Sequence, residues 1–204
     1  MPSDPARSSS INLHHAVLQR RLPRCYVVTG VSGSGKSTVG KLLANRLQCP
    51  FHEGDDYHPP ANIAKMRAGI ALTDDDRWPW LHALAGVIQG HVARSELGVV
   101  SCSALKQRYR DVLCGASQGA AHAGDVAFVL LQPSREELQK RLVAREAAGT
   151  HFMPAKLLES QLAALEVDPN ALFFDALPPD AIVEHILQMR QGMEHGELSE
   201  KPAN

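Results

Sequence analysis

Apolar residues along the chain follow two alternating patterns. Short apolar runs typical of buried strands occur at five places, residues 26–28, 49–53, 98–103, 126–131 and 171–175. Between these runs, apolar residues recur every three or four positions, which predicts amphipathic helices. Strands that alternate with helices in this way predict an α/β fold, in which a parallel β-sheet carries helices on both of its faces.

A glycine-rich segment, GVSGSGKST at residues 30–38, lies between the first predicted strand and the first predicted helix. This order of strand, glycine-rich turn, Lys-Ser and helix is the context of a phosphate-binding P-loop. The glycines permit backbone angles at which successive N–H groups point inward around an anion, and the helix N-terminus adds a positive dipole end. We therefore predict a nucleoside triphosphate site, with Lys36 at the β- and γ-phosphates and the Ser37 hydroxyl as a ligand of Mg²⁺.

The nucleotide-binding prediction covers most of this segment. The residues assigned to the nucleotide are Gly30, Ser32, Gly33, Ser34, Gly35, Lys36, Ser37 and Thr38. The alternative is a glycine-rich turn that binds no ligand. A nucleotide site does not define the reaction, which has to be inferred from residues elsewhere in the chain.

Composition and charge narrow the class of protein. The 204 residues suit one compact α/β domain with a small lid, and the net charge of −1 gives no indication of a nucleic-acid or acidic-membrane partner. No apolar stretch approaches the length of a membrane span. The four cysteines form no CxxC pair, so we interpret them as reduced residues of a cytoplasmic protein.

Both ends of the chain are expected to lie outside the folded domain. Residues 1–23 contain early prolines and three consecutive serines, which favour a disordered leader, and their arginines weakly resemble an organelle-targeting segment. Polar residues from 192 onward predict a flexible tail. The folded domain is therefore expected over residues 24–191.

Two aspartates follow the second predicted strand. Right-handed crossovers place the carboxyl ends of parallel strands on one edge of the sheet, which also carries the P-loop. Asp55 is therefore a candidate to accept the proton of an attacking hydroxyl, or to hold Mg²⁺ through water. The alternative is that Asp55 and Asp56 only cap the following helix.

Two cationic residues follow the third predicted strand. Lys106 and Arg110 are four residues apart, which predicts that they share one helical face. This face would lie at the same edge of the sheet, where it could neutralise an anionic substrate. The alternative is a solvated basic face that pairs with Asp111.

A second pair of arginines precedes a predicted lid. Arg141 and Arg145 lie four apart on the helix after the fourth strand, and residues 146–154 contain a break rich in small side chains. Mobile lids exclude water, and nearby arginines spread the charge of a transferring phosphoryl group. The alternative is two arginines on an exposed helix face.

Three consecutive aspartates, residues 74–76, precede Pro79 and predict the start of a helix, with the proline in its first turn. Arg77 lies between Asp76 and two tryptophans. Helix capping does not account for this arginine, which we interpret as half of a buried ion pair on the substrate side.

Four segments together resemble the gluconokinases, a family with the nucleoside-monophosphate-kinase-like P-loop fold. They are GVSGSGKST at 30–38, GDDYHPPANIAKMRAGIALTDDDRWPWL at 54–81, CSALKQRYRD at 102–111 and HFMPAKLLESQLAALE at 151–166. The resemblance implies phosphorylation of D-gluconate by ATP with Mg²⁺, giving 6-phospho-D-gluconate. It also implies a three-layer α/β/α fold with strand order 2-3-1-4-5, a small lid and often a homodimer.

The resemblance further implies roles for single residues. Asp55 would bind the sugar-acid hydroxyl and act as the base, while Lys36 and the lid-entry arginines at positions 141 and 145 complete the catalytic set. Residues implied near the substrate are His58, Lys106, Arg110 and His151. The segment at 146–150 is longer than is usual in the family, and the leader has no counterpart in its compact members.

Two other functions remain as alternatives. A shikimate-kinase-like enzyme would usually show a Gly-Gly-Gly run after the third strand, where this chain has Ser101-Cys102-Ser103-Ala104. A non-catalytic ATP-binding module would lack substrate-stimulated ATP turnover. A GTPase is excluded because no Asn-Lys-x-Asp sequence occurs.

Overall fold

The computed structural model describes residues 22–115, 124–147, 155–175 and 177–195, with backbone alone for 145–147 and 155–157. Three parts of the predicted terminal and lid segments lie outside the described residues. They are residues 1–21 of the leader predicted over 1–23, residues 148–154 of the lid predicted over 146–154, and residues 196–204 of the tail. Within the described part, no helix is long and apolar enough to span a membrane.

A five-stranded parallel sheet forms the centre of the fold. Its strands are β1 (Cys25–Thr29), β2 (Phe51–Glu53), β3 (Gly98–Ser101), β4 (Val126–Leu131) and β5 (Leu172–Phe174). They are arranged in the order β2-β3-β1-β4-β5. The predicted strand order is therefore confirmed.

Seven helices connect and cover the strands in the described residues. They are α1 (Lys36–Leu47), α2 (Pro60–Arg67), α3 (Asp74–Arg94), α4 (Gln107–Leu113), α5 (Arg135–Ala147), α6 (Ala155–Ala164) and α7 (Pro179–Glu194). Helix α7 continues beyond the domain boundary expected at residue 191. A short 3-10 turn, Gly54–Tyr57, connects β2 to the loop before α2.

The two faces of the sheet bury separate apolar clusters. On one face, Val27 and Val100 pack with Leu84 and Ile88 of α3 and Leu113 of α4. On the other face, Val28 and Val99 of the sheet pack with residues of α1 and α7, namely Val39, Leu43, Ile182 and Ile186. Alternate residues of each strand thus face opposite helical layers, which gives the predicted three-layer α/β/α arrangement.

The start of α3 is fixed by a capping box. The Thr73 hydroxyl accepts a hydrogen bond from the backbone N–H of Asp76, and the Asp76 carboxylate accepts one from the Thr73 N–H at 2.8 Å. The predicted helix start at the three aspartates is confirmed. Pro79 lies in the second turn of the helix rather than the first.

The strand register brings the ends of the strands to one edge of the sheet. Ser101 of β3 is paired with both Val28 of β1 and Glu53 of β2. The segments that leave these strands, which are the P-loop, the 3-10 turn and the loop before α4, therefore start side by side. This edge carries the predicted site residues.

Candidate active site

The glycine-rich segment has the backbone geometry of an anion-binding loop. Gly30, Gly33 and Gly35 have φ angles of +137°, +83° and +102°. A side chain at Gly30 would also place its Cβ well inside 3.0 Å of the Leu131 carbonyl oxygen, so only glycine fits there. No side chain caps α1, which leaves its N-terminus directed at the space enclosed by the loop.

The polar side chains of the P-loop differ in exposure. The Lys36 ammonium group lies over the loop and donates to the carbonyl of Val31 at 2.9 Å. Ser37 is half-buried in the first turn of α1, and Thr38 beside it is exposed. The Ser34 hydroxyl is buried without a hydrogen-bond partner among the described residues, and a bound anion would supply an acceptor for it.

Helices α5 and α6 both contact the P-loop. Arg141 of α5 donates to the carbonyl of Ser34 at 3.3 Å and also pairs with Glu137 at 2.7 Å. Gln161 of α6 accepts a hydrogen bond of 2.7 Å from the backbone N–H of Ser32. The structure therefore brings Arg141 to the phosphate-binding loop, with its side chain still 40% exposed.

Two of the predicted site residues lie wholly or partly outside the part of the chain that the structure describes. The side chain of Arg145 and all of His151 lie outside the described residues. Sequence reasoning did not identify Gln161, because a single glutamine on an amphipathic helix carries no chemical signature of its own.

The 3-10 turn holds Asp55 at the carboxyl end of β2. Gly54 is fixed on two sides, because its N–H donates to the Ser101 hydroxyl at 3.0 Å and its carbonyl accepts from the Trp80 indole at 2.7 Å. The Asp55 side chain is 69% exposed at the edge of the sheet. The alternative that Asp55 and Asp56 cap the next helix is wrong, since no side chain caps α2.

His58 packs beside Asp55 and is itself buried. Its ring stacks on Trp80 with ring centroids 4.2 Å apart, and its Nε2 lies 4.0 Å from a carboxylate oxygen of Asp55. Burial lowers the pKa of His58; the charge of Arg77 lowers it further, and Asp55 acts in the opposite direction. A neutral imidazole is therefore favoured next to the Asp55 carboxylate.

Arg110 does not form an open cationic face with Lys106, and this expectation is wrong. The Arg110 side chain is 5% exposed and donates to the carbonyl of Ala104 at 2.9 Å and to the amide oxygen of Gln107 at 2.9 Å. Its Nε lies 3.5 Å from the carboxylate of Asp168. Helix α4 begins only after Lys106, so the two residues do not share a helical face.

These contacts give Arg110 a structural position. It stabilises the loop between β3 and α4 through its contacts with Ala104, Gln107 and Asp168. The alternative pairing with Asp111 is also not observed, since Asp111 accepts a hydrogen bond from Gln107 at 2.9 Å.

Asp74, the first residue of α3, is surrounded by cationic side chains. Lys106 lies 3.2 Å and Arg77 lies 3.5 Å from its carboxylate, and Arg108 and the Tyr109 hydroxyl also donate to it. The ion pair predicted for Arg77 is thus formed with Asp74, and it is half-buried rather than buried. Sequence reasoning missed Asp74 and Arg108, although Arg108 lies between the two cations that it selected.

Asp76 is instead paired with Lys65 of α2. The Lys65 ammonium group lies 2.6 Å from the Asp76 carboxylate, which also accepts from Thr73. These hydrogen bonds lower the pKa of Asp76 to about 2. The pair ties α2 to the start of α3.

A histidine pair lies behind the turn that carries Asp55. The Nε2 atoms of His52 and His91 are 3.0 Å apart, and Nδ1 of His52 lies 2.9 Å from the Tyr57 hydroxyl. Burial is the main cause of the lowered pKa of both histidines. This chain of contacts connects β2, the 3-10 turn and α3, and it was not identified from the sequence because its members are far apart along the chain.

Comparison with known proteins agrees with this geometry. A protein family described as an AAA domain matches residues 26–167. The chain is 40% identical over 169 residues to a gluconokinase of Arabidopsis thaliana, covering 79% of this chain and 89% of that protein. It is 44% identical over 170 residues to a gluconokinase of Gluconobacter oxydans, covering 81% of this chain and 90% of that protein.

A solved structure supports the same relationship. The crystal structure of a gluconokinase from Sinorhizobium meliloti superposes with a TM-score of 0.69 at 44% identity, covering 88% of this chain and 99% of that one. The resemblance first found in four sequence segments thus extends over most of the fold. The chain is a kinase with a P-loop, and it belongs to the gluconokinase family.

Proposed function

We propose that this protein transfers the γ-phosphoryl group of ATP to the terminal hydroxyl of D-gluconate, giving ADP and 6-phospho-D-gluconate. One observation carries the proposal. A turn fixed by Gly54 presents an exposed Asp55 at the same edge of the sheet as the P-loop, in a chain of the gluconokinase family. A base beside a triphosphate site is what transfer to a hydroxyl requires.

The phosphate end of the reaction is assigned to the P-loop. The backbone N–H groups of residues 30–38 and the N-terminus of α1 bind the phosphate oxygens, and Lys36 neutralises the β- and γ-phosphates. Oxygen ligands suit Mg²⁺, and the half-buried Ser37 hydroxyl next to Lys36 fits this preference. The bound ion would supply charge neutralisation at the phosphate oxygens.

The acceptor end is assigned to Asp55. Its carboxylate accepts the proton of the substrate hydroxyl as the new phosphorus–oxygen bond forms. The neutral form favoured for His58 leaves the anionic charge of Asp55 uncompensated by an imidazolium, which keeps the carboxylate available as a proton acceptor. In-line transfer then requires only that the two substrates are held in register.

We assign the stabilisation of the negative charge that develops on the phosphoryl group during transfer to the arginines at the end of α5. Arg141 contacts the P-loop through the carbonyl of Ser34, and a change of rotamer would bring its guanidinium to the phosphates. Arg145, His151 and a lid over residues 146–154 complete this assignment on the strength of the family resemblance. A closed lid would keep water from competing with gluconate.

ADP release with ATP and Mg²⁺ tests the proposal. Release should depend on D-gluconate and should not rise above background with shikimate or without an acceptor. Removing the phosphate-binding cation in Lys36→Met, or the base in Asp55→Asn, should lower turnover on the order of a thousandfold. Asp56→Asn, which changes the adjacent exposed aspartate, is the matched control and should retain turnover.

Two outcomes would contradict this assignment. Equal release with and without gluconate would remove gluconate as the acceptor. Near-normal turnover by Asp55→Asn would remove Asp55 as the base while leaving the nucleotide site intact.

We further propose, on the family resemblance alone, that the protein is a cytoplasmic homodimer. Light scattering of the purified protein would give the mass of the assembly. A mass equal to that of one chain would contradict the dimer.

A further inference from the structure

Three cationic side chains converge on one carboxylate at the start of α3. Arg77, Lys106 and Arg108 each contact Asp74, and we call these four residues the Asp74 cluster. One carboxylate neutralises only one of the three cations, so the cluster has two positive charges in excess. The side chains of Lys106 and Arg77 are 25% and 27% exposed and that of Arg108 is 52% exposed, so the cluster is open to solvent.

The cations are held close together by an aromatic side chain. Arg77, Lys106 and Arg108 lie 5.8, 5.5 and 5.7 Å from the Tyr109 ring. Cation–π attraction offsets part of the repulsion between these like charges, and the Asp74 carboxylate fixes their direction. A group of cations that is preorganised in this way binds an added anion with little further loss of side-chain freedom.

The Asp74 cluster lies next to the proposed acceptor site. Arg77 precedes Trp80 by three residues on α3, Trp80 stacks on His58, and His58 lies 4.0 Å from Asp55. Helix α3, which begins with Asp74, is tied to the turn before Asp55 by the hydrogen bond from Trp80 to Gly54. The cluster therefore lies near Asp55, on the side of α3 and α4, at the edge of the sheet that also carries the P-loop.

We propose that the Asp74 cluster binds the carboxylate of the sugar acid, with Arg77 and Arg108 acting together with Lys106. This inference rests on the proposed function. D-gluconate carries a carboxylate at one end and the reacting hydroxyl at the other. With its hydroxyl at Asp55 and its carboxylate at the cluster, the substrate is held at both ends, and neutral sugars are rejected because they leave the cations unpaired.

The role of Asp74 follows from the same arrangement. In the absence of an anion it keeps the three cations from repelling one another out of position. When the substrate carboxylate is added, the cluster contains three cations and two anions, and its charge excess falls to one. Asp74 is thus a positioning residue, whereas Arg77, Arg108 and Lys106 are binding residues.

A comparison of D-gluconate with its neutral amide, D-gluconamide, tests the proposal. In Arg108→Gln and Arg77→Gln, the KM for gluconate should rise about tenfold or more, as expected for a lost hydrogen bond to a charged group. The values of kcat and of KM for ATP should change little. The KM of gluconamide should also change little. Where gluconamide turns over too slowly, its inhibition constant takes the place of KM. The preference for gluconate over gluconamide should therefore fall in both variants.

Arg94→Gln is the matched control, because Arg94 lies on the same helix in an exposed ion pair with Glu96. It should leave the preference for gluconate unchanged. Arg108→Gln is the safer of the two test variants for folding, since more than half of that side chain is exposed.

The outcomes separate this proposal from the function on which it rests. If wild-type protein shows gluconate-dependent ADP release but both variants keep the full preference for gluconate over gluconamide, the carboxylate site is overturned and the function stands. If both variants weaken gluconate, gluconamide and ATP equally, the cluster is structural and the proposal is again overturned. If wild-type protein shows no gluconate-dependent release, the proposed function is overturned together with this site.

Discussion

At the scale of single residues, the position of Asp55 depends on the absence of a side chain at the residue before it. Gly54 lies against β3, and a Cβ there would lie far inside 3.0 Å of the Ser101 carbonyl oxygen. That oxygen belongs to the backbone of a buried strand and cannot move aside without distorting the sheet. The close approach of the turn to β3 is therefore possible only with glycine.

Gly54→Ala should consequently displace the 3-10 turn and lower both stability and activity. We expect a loss of about 2 kcal/mol in the free energy of unfolding, as for other overpacked sites. Gly86→Ala is the control, because a Cβ there meets nothing within 4 Å and alanine favours the helix, so stability should rise slightly. Urea denaturation measures the free energy of unfolding of the two variants. Unchanged stability of Gly54→Ala would contradict the close approach of the turn to β3.

The site residues differ in how far the sequence could predict them. The loop geometry around Lys36 and Ser37 was predictable because the P-loop is a local motif, in which consecutive residues determine the backbone conformation. The burial of Arg110 and the cations around Asp74 were not, because they depend on the packing of α3 against α4. The local spacing of Lys106 and Arg110 led to a wrong helical face, since the helix begins after Lys106.

At the scale of elements, α6 contacts the P-loop through a polar and an apolar side chain among its described residues, Gln161 and Leu158. Gln161 accepts from the Ser32 N–H, while Leu158 of the same helix packs with Val31 and Leu138. Helix α6 is the first described element after the segment that contains the predicted lid. Its contact with Ser32 therefore joins the end of that segment to the nucleotide site.

Gln161→Met keeps the length of the side chain but removes the acceptor. The Ser32 N–H loses its partner, so the free energy of unfolding should fall by about 1 kcal/mol. Gln188→Met, at an exposed position on α7, should have no such effect. Chemical denaturation of the two variants provides the measurement, and equal stabilities would show that the contact contributes nothing.

Most elements were predictable from the apolar pattern, but their ends were not. The strands β2, β3 and β5 are shorter than the apolar runs that predicted them, because hydrogen bonding to neighbouring strands decides where a strand ends. The start of α3 was predictable because its capping residues are adjacent in the sequence.

At the scale of the whole molecule, the strand order was predictable only through the family resemblance, since alternating strands and helices predict a parallel sheet without selecting the order of its strands. The electrostatics of the fold were less accessible. His52, His58 and His91 all have lowered pKa values, with burial as the main cause. Each of these histidines is buried by contacts with an element that is distant in sequence.

This group of histidines should make stability depend on pH. In the unfolded chain histidine binds a proton near pH 6.5, whereas in the folded protein these three do so only at lower pH, so the unfolded state gains more protons as the pH falls. The melting temperature should therefore decrease as the pH is lowered from about 7.5 to about 5.5. Most carboxylates stay ionised over this range, so they contribute little to the change.

A pair of variants separates the buried histidines from other causes. His52→Gln should flatten this dependence, because it removes one of the groups whose pKa is lowered. His195→Gln, at an exposed position, should leave the dependence unchanged. Equal pH dependence in both variants would exclude His52 as a source.

The two tryptophans of the chain have one more consequence. Trp80 stacks on His58 beside Asp55, and the ring of Trp78 lies 5.9 Å from the Arg108 guanidinium. The tryptophan fluorescence of the protein therefore originates entirely from the two proposed ends of the sugar-acid site. An unlabelled sample carries its own optical probe there, and occupancy of either end can be followed in a fluorimeter without modifying the protein.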